Sequence, residues 1–325
     1  MVYSLSLFFG LNRQTVIYAL SPFLLIAPYK IYKLRDEFLH YFKGNIKPLL
    51  LTLFVMVIYF LVLNPAILGR KDDYLVMSGV NWQDTALHMS ITQSLTQGNF
   101  PPSAPYFSGH TLGYYYFTDL HSAIINLFSG IFFPKIFVFD NAIFAGVLTL
   151  SIYSLAYEIT RNKKLSIVSS AIGSFYGSFI FIKFIQQISL GGKPLELLTN
   201  NIYSMEYKEI FGMANIADYF LQNRPMMVGL PVVVVIILLT QYAYTRGKTN
   251  ILLLVGIITA TLIKFQFFCI VACGISVVIL STILVRKKKF KSLFSSYLLF
   301  IIPIVAFYLI FGSKEVNGMP FFRSN

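Results

Sequence analysis

Residues 69–140 read GRKDDYLVMSGVNWQDTALHMSITQSLTQGNFPPSAPYFSGHTLGYYYFTDLHSAIINLFSGIFFPKIFVFD. They form the longest segment of the chain without a convincing membrane-spanning run. The segment contains three of the four histidines, the only tryptophan and five carboxylates: His88, His110, His121, Trp82, Asp72, Asp73, Asp84, Asp119 and Asp140. In so apolar a chain, we predict that this segment carries the chemistry and that the other residues hold it at a membrane surface.

The composition indicates a membrane protein. Of the 325 residues, 56% are hydrophobic and 12% are charged, and the mean hydropathy is +0.69. No soluble domain of this size could bury so much apolar surface, so the predicted class is a polytopic membrane protein whose first partner is the lipid bilayer. The net charge of +13 does not indicate a nucleic-acid partner, because most of the 26 Lys and Arg residues fall in short clusters between apolar runs, as topology signals do.

Apolar runs of about 17–25 residues predict the membrane spans. We predict spans at 14–32, 49–68, 138–160, 165–185, 226–245, 250–266, 268–285 and 292–311. The predicted fold class is therefore all-α, a transmembrane helix bundle of about eight spans that forms a single domain over residues 1–325. The last run has no basic cluster after it, which favours a fragment of a longer protein.

Basic clusters between the runs predict the topology. Four connections, at 30–47, 161–164, 246–248 and 286–291, are rich in Lys and Arg and should be cytoplasmic. The segments 69–137 and 186–225 then become two outer loops, and ten of the 13 carboxylates lie outside. The prediction is a multi-pass cell-membrane protein whose active face is extracytoplasmic, with residues 1–12 on the same side as the first loop.

The first outer loop is predicted to carry two amphipathic surface helices. One runs from Asn81 to Gln97 and is ended by Gly98 and by the two prolines that follow. The other covers 112–130, where apolar and polar side chains form separate stripes. The apolar stripe is Tyr116, Leu120, Ile124, Leu127 and Phe128, and the polar stripe is Asp119, Ser122 and Asn126.

Asp84 and His88 are the centre of the candidate site. They are four residues apart and share one face of the predicted helix. A carboxylate fixed there could act as the general base on an acceptor hydroxyl. His88 could orient that carboxylate or join it in holding a divalent metal ion. His110 and the run Tyr114-Tyr115-Tyr116 follow a turn and could line the same pocket and stack on a sugar ring.

Plainer interpretations of the same residues stay open. Asp84 is the third residue after Asn81 and could simply complete a capping box. A run of tyrosines is also typical of an interfacial aromatic belt. Asp72 and Asp73 could be the solvated end of a span.

A sequence pattern in this loop resembles a known family. The pattern begins with W-x-D-x-x-x-H-x(9)-G-N-x-P-P and continues with G-x(4)-YYYF, an amphipathic helix and a span. The residues that carry the pattern are Trp82, Asp84, His88, Gly98, Pro101, Pro102, Gly109, Tyr114, Tyr115, Tyr116 and Phe117. The pattern resembles the multi-spanning GT-C superfamily of glycosyltransferases. It is more closely similar to the bacterial and archaeal membrane proteins named for a YYY motif, the DUF2298 group. The resemblance covers about 69–160.

The resemblance implies a hexosyl- or pentosyltransferase that takes a sugar from a polyprenyl-phosphate donor on the outer face, with inversion at the anomeric carbon. The acceptor would be a glycan, a lipid or a protein. Asp84 best matches the family's acid, which serves as base or metal ligand, and Asp72 or Asp73 is the fallback. Arg224 and Lys264 are then candidate ligands for the carrier phosphate. Interfacial anchoring of Arg224 and snorkelling of Lys264 are the plain alternatives.

Two other classes of protein compete with this interpretation. A transporter or flippase should show charged or broken helices at mid-membrane and inverted repeats. The sequence shows one lysine, Lys264, and no carboxylate or repeat within the spans, which weakens that class. A non-catalytic scaffold that keeps a GT-C-like fold stays open, because a fold does not determine a function.

Overall fold

A computed structural model describes residues 1–67, 69–71, 74–76, 82–105, 112, 114–131, 133–175, 186–193, 224–246, 251–263 and 274. These residues are mostly helical. The helices are α1 Val2–Phe9, α2 Arg13–Lys33, α3 Arg35–Gly44, α4 Ile46–Ile67, α5 Trp82–Thr96, α6 Phe117–Ser129, α7 Phe133–Thr160, α8 Lys163–Phe175, α9 Arg224–Arg246 and α10 Ile251–Ile263.

Four of the described helices are long and apolar enough to cross a membrane. These stretches are Arg13–Lys33, Ile46–Asn64, Pro134–Thr160 and Pro225–Tyr242, in α2, α4, α7 and α9. They coincide with the spans predicted at 14–32, 49–68, 138–160 and 226–245. Helices α8 and α10 occupy part of two further predicted spans, and the described part of each is 13 residues, or about 20 Å, long. Of the spans predicted at 268–285 and 292–311, only residue 274 is described.

A short β-hairpin follows α4, and the all-α prediction missed it. Strand β1, Gly69–Lys71, pairs antiparallel with β2, Tyr74–Val76, so that Arg70 lies opposite Leu75. Three-residue strands are too short to show the alternation of apolar and polar residues by which strands are recognised.

The helix predicted from Asn81 to Gln97 is confirmed as α5. It ends as expected at Gly98, which adopts a φ of +87° and whose N–H donates to the Leu95 carbonyl at 3.0 Å. Glycine suits this position because a side chain disfavours positive φ. The second predicted helix is confirmed as α6 and ends at Gly130, which is left-handed with a φ of +60°.

The larger core lies inside the bundle and joins α4, α7, α9 and α10. It contains Val55, Tyr59, Leu63, Ile67, Phe137, Val138, Ala142, Ala145, Leu148, Met227, Val228, Val233, Ile236, Leu253, Ile257, Ala260 and Ile263. Helices α4 and α7 approach each other closely at Gly146. A Cβ atom there would lie 2.5 Å from Cγ of Met56 and 3.3 Å from Cγ2 of Thr52. Small residues allow such close approach between membrane helices.

Hydroxyl groups join α8 to α7 and α4. Ser170 donates to the backbone carbonyl of Thr149 at 2.6 Å, and the Thr149 and Ser174 hydroxyls are 2.8 Å apart. The hydroxyl of Tyr59 donates to the backbone carbonyl of Ser174 at 3.1 Å. We call Tyr59, Thr149, Ser170 and Ser174 the hydroxyl seam. All four residues are buried, so their polar groups are satisfied inside the protein.

A second, smaller core lies at the end of the bundle where α5 and α6 pack. We call this end of the bundle the first-loop face. Its buried members come from α5, α6 and the region around the start of α2: Leu11, Val16, Ile91, Leu95, Leu120 and Ala123. Helix α1 packs against it through Val2 and Tyr3. The N-terminus and the first loop therefore lie at the same end of the bundle. This agrees with the prediction, from the span at 14–32, that residues 1–12 lie on the same side as the first loop.

The side chains of α6 depart from the prediction of a surface helix. Asp119 and Ser122, in the predicted polar stripe, are both 0% exposed, whereas Phe128 of the apolar stripe is 48% exposed. The polar stripe is therefore not a solvated face. The prediction was wrong on this point because the polar partners of the stripe lie on α5 and α7, outside the helix itself.

Candidate functional site

The candidate site centres on a buried pair formed by His88 of α5 and Asp119 of α6. Nδ1 of His88 lies 2.9 and 3.0 Å from the two carboxylate oxygens of Asp119, and both side chains are 0% exposed. The Thr92 hydroxyl lies one turn after His88. It is 3.2 Å from Oδ1 of Asp119 and 2.8 Å from the backbone carbonyl of His88. Asp119 thus accepts from two groups of α5.

This geometry fixes the tautomer of His88. An ionised carboxylate can only accept hydrogen bonds, so Nδ1 carries the proton and donates to Asp119. In the neutral ring, Nε2 then presents a lone pair. Nε2 is buried and has no hydrogen-bond partner among the described residues. Leaving a buried polar atom unpaired costs about 1–3 kcal/mol, so this nitrogen is a candidate for contact with a ligand, a water or a metal ion.

A second acidic side chain, Asp140 of α7, lies under α6. Its Oδ2 accepts from the Ser122 hydroxyl at 2.5 Å and lies 3.6 Å from Nδ1 of His121. Asp140 falls inside the candidate span Pro134–Thr160 and is 2% exposed. The prediction that the spans contain no carboxylate is therefore wrong. Burial against α6 makes the position tolerable, because this carboxylate faces protein groups.

The tyrosine run divides between two surroundings. The ring of Tyr114 meets the ring of His88 edge-on, with centroids 5.7 Å apart. Tyr116 stacks on Tyr3 of α1 at 6.3 Å and also contacts Phe100. Its hydroxyl lies 3.3 Å from that of Tyr3. Of the three tyrosines, Tyr114 therefore lies beside the buried pair, and Tyr115 contacts Tyr114 at 6.2 Å.

The surroundings of Tyr116 hold its hydroxyl protonated. Burial raises the pKa of Tyr116 well above its ordinary value near 10, and the hydrogen bond with Tyr3 raises it further. The hydroxyl of Tyr116 therefore serves as a hydrogen-bonding group in an aromatic cluster with Tyr3 and Phe100.

Several predicted site residues fall outside this description. Asp73, His110 and Lys264 lie outside the described residues. For Asp84 and Arg224 the helical backbone is described, but the side chains are not. Asp84 is thus placed one turn before His88 on α5, and Arg224 is the first residue of α9. Their roles stay predictions.

The metal prediction also stays open. Within the described parts of the chain, no group of three or more His, Cys, Asp or Glu side chains could hold a metal ion. The side chain of Asp84 is not described, so the pair Asp84 and His88 is untested as a metal site.

Reasoning from the sequence missed Thr92 and the roles of Asp119 and Asp140. His88 and Thr92 share a face of α5 with buried Ile91 and Leu95, so a polar pair on an apolar face was the available signal. The pairing itself joins residues 31 positions apart, and no local spacing indicates it.

An open groove of about 480 Å³ lies elsewhere on the first-loop face. It is lined by 11–14, 96–98 and Leu127. In it, Nε of Arg13 donates to the backbone carbonyl of Leu127 at 2.5 Å. Thr96 is eight residues, or about 12 Å, from His88 along α5. The groove is therefore at the other end of α5 from the buried pair.

The apolar helices and the candidate spans define the class as a multi-spanning integral membrane protein. Residues 1–224 match the sequence model of the family described as "Uncharacterized membrane protein (DUF2298)". The chain belongs to this family, which confirms the closer of the two resemblances. Comparisons with curated proteins and with solved structures found no match.

Proposed function

We propose that the protein is a glycosyltransferase of the cell membrane, with its active face extracytoplasmic. It would transfer a hexose or pentose from a polyprenyl-phosphate donor to a glycan, lipid or protein acceptor. The observation that carries the proposal is the buried His88–Asp119 pair, whose Nε2 has no partner among the described residues, one turn after Asp84. The resemblance to GT-C glycosyltransferases supplies the reaction class.

The proposed reaction needs a proton acceptor. As the acceptor hydroxyl oxygen forms a bond to the anomeric carbon, the bond from that carbon to the carrier phosphate breaks. The hydroxyl proton passes to the base, and the polyprenyl phosphate leaves with the electron pair of the broken bond. Asp84 is the proposed base. His88 would orient the Asp84 carboxylate through Nε2, or the two would hold a divalent ion that polarises the phosphate.

Asp119 would support the role of His88 through the hydrogen bond to Nδ1. It holds the imidazole of His88 in one orientation and one tautomer, and it would stabilise the ring if the ring became cationic. Thr92 fixes the carboxylate through a second hydrogen bond. Preorganised groups of this kind raise rates because they need no rearrangement when charge develops.

The proposed substrate contacts follow the chemistry of the side chains. Tyr114 and Tyr115, with His110 and Tyr116, would offer aromatic faces to a sugar ring. Arg224 and Lys264 would bind the carrier phosphate, because guanidinium and ammonium groups pair well with phosphate. The bilayer would deliver the polyprenyl chain.

Asp140 favours one second candidate, a transporter. A carboxylate within a candidate span, bonded to Ser122 and close to His121, is an arrangement that proton-coupled carriers use. A non-catalytic scaffold would use both buried pairs only to join helices. The three functions predict different outcomes. A glycosyltransferase forms a glycoside, a transporter moves a solute, and a scaffold does neither.

The test is transfer by protein in liposomes that contain a radiolabelled polyprenyl-phosphate sugar, with a divalent ion or with a chelator. We expect Asp84→Asn to lower transfer about 10²–10⁴-fold, the usual contribution of a general base. Ser90→Ala is the matched control, because Ser90 is exposed on the same helix and bonds only the Ala86 carbonyl in the described structure.

Normal turnover by Asp84→Asn would contradict the assignment of the base. Transport of solute without formation of any glycoside would replace the glycosyltransferase with the transporter.

A further inference from the structure

Helix α1 has two different faces. Val2 and Tyr3 pack on the smaller core at the first-loop face, and Ser6 is 1% exposed. On the opposite side Leu7 is 49% exposed and Phe8 is 81% exposed. Apart from exposed Ser4, this face is therefore apolar, and no described part of the protein covers it.

The position of α1 in the chain shows what this face meets. Helix α1 ends at Phe9, and the candidate span of α2 begins at Arg13. Four residues of extended chain reach at most about 14 Å, so α1 cannot lie far from the point at which α2 enters the membrane. After the exposed polar residues 12–14, exposed apolar side chains resume along α2 at Ile17, 47% exposed, and Tyr18, 70% exposed.

The composition of this segment favours a lipid surface over water. Residues 1–12 read MVYSLSLFFGLN and contain no charged side chain. A helix that packs one face on protein and turns phenylalanine outward beside a span has the chemistry of an interfacial helix, whose apolar face enters the headgroup boundary. In addition, the inner face of α1 contacts the tyrosine run through Tyr3, whose ring stacks on Tyr116.

We propose that α1 is a membrane-interface anchor, with Phe8 seated in the lipid headgroup boundary. Its inner face holds Tyr116 and Phe100 against the first-loop face. Lipid contact on one side of α1 thereby stabilises the tyrosine run on the other side. This inference does not depend on the proposed enzymatic activity.

The test uses a single tryptophan in the full chain, placed in nanodiscs. The only native tryptophan is Trp82, so Trp82→Phe supplies the background. Phe8→Trp reports the outer face, and Tyr3→Trp is the matched control on the inner face. Lipids brominated near the headgroup end of the acyl chain should quench Phe8→Trp at least about threefold more than Tyr3→Trp, because bromine quenches only on close approach.

Three outcomes would overturn the proposal. Quenching of Phe8→Trp by aqueous iodide instead of lipid would place the face in water. Equal lipid quenching of the two variants would show that α1 has no distinct lipid face. Protection from both quenchers would mean that protein covers Phe8, and size-exclusion chromatography would then identify a second copy. If Phe8→Trp fails to elute as folded protein, Leu7→Trp samples the same face.

Hydrogen exchange tests the connection to the tyrosine run. In nanodiscs, Phe8→Asp should expel this face from the headgroup boundary and raise the exchange rate of amides 114–120 about tenfold, whereas Phe8→Leu, which keeps an apolar side chain at the same position, should change it much less. Unchanged exchange in Phe8→Asp would remove the stabilising role of α1 even if its lipid contact were demonstrated.

Discussion

The hydroxyl seam of the bundle and the His88–Asp119 pair of the first-loop face are both buried polar networks, yet they differ in kind. The seam uses neutral hydroxyls that bond each other and backbone carbonyls. The pair uses ionisable groups and leaves Nε2 of His88 without a partner in the described structure. Burial of polar groups therefore does not by itself mark a site. The distinguishing feature is an ionisable group whose hydrogen bonds are incomplete.

The two networks should also differ in energy. Hydrogen bonds between membrane helices contribute on average about 0.6 kcal/mol each, because unfolded helices in a membrane find other partners. Removal of the partner of a buried charged group costs about 3–5 kcal/mol, because the charge is left without compensation. The following variants test this contrast.

The largest effect is expected for His88→Leu, which leaves the buried Asp119 carboxylate without the Nδ1–H of His88. We expect a loss of about 3–5 kcal/mol in the free energy of unfolding, measured by denaturation in nanodiscs. The double variant His88→Leu with Asp119→Val should recover most of that loss, because apolar side chains need no partner. If His88→Leu unfolds like the native protein, the pair contributes nothing to stability and the contrast fails.

In the bundle, the next largest effect should come from Gly146→Val. Its Cβ would lie 2.5 Å from Cγ of Met56, so α4 and α7 must separate or Met56 must move. Overpacking of this kind costs about 1–3 kcal/mol. Gly44→Ala is the matched control, because nothing lies within 4 Å of a Cβ at Gly44. Equal melting temperatures for the two variants would show that the helices are not closely packed at Gly146.

Tyr116 should make the stability of the folded protein depend on pH in the alkaline range. Burial, followed by the Tyr3 hydrogen bond, raises its pKa in the folded state. The folded state therefore keeps the proton longer than the unfolded state, whose pKa is about 10. The stability contribution is complete below about pH 10 and is lost as the pH rises further, by about 0.8 kcal/mol at pH 10.5. Tyr116→Phe should remove this part of the alkaline loss, as thermal unfolding between pH 9 and 11 would show.

The smallest effect is expected in the hydroxyl seam. Ser170→Ala removes a donor to the Thr149 carbonyl, for an expected loss of about 0.6 kcal/mol. Ser166→Ala is the comparison, because Ser166 is buried on the same helix and bonds only the preceding turn, at the Asn162 carbonyl, in the described structure. A loss above about 2 kcal/mol for Ser170→Ala would mean that the seam is as important as the ionisable pair.

The sequence predicts the elements of this fold better than their contacts. The spans at 14–32 and 49–68 follow from long apolar runs, and the end of α5 follows from Gly98. These signals are local. The burial of Asp119 has no such local signal, because it depends on a histidine 31 residues away. Asp84 and His88 could be selected from their spacing, whereas the identity of the group that holds His88 required the structure.

Helix α6 is fixed to two neighbours by side chains that are only three residues apart. Asp119 bonds α5 through His88, and Ser122 bonds α7 through Asp140. A slide of α6 by one helical turn, about 5.4 Å, would break both attachments. Helix α6 therefore fixes the distance of α5 from the bundle along the helix axis of α6. In the proposed reaction, the head group of a membrane-anchored carrier would have to reach that distance, so the length of the carrier's polar spacer would become a means of selection.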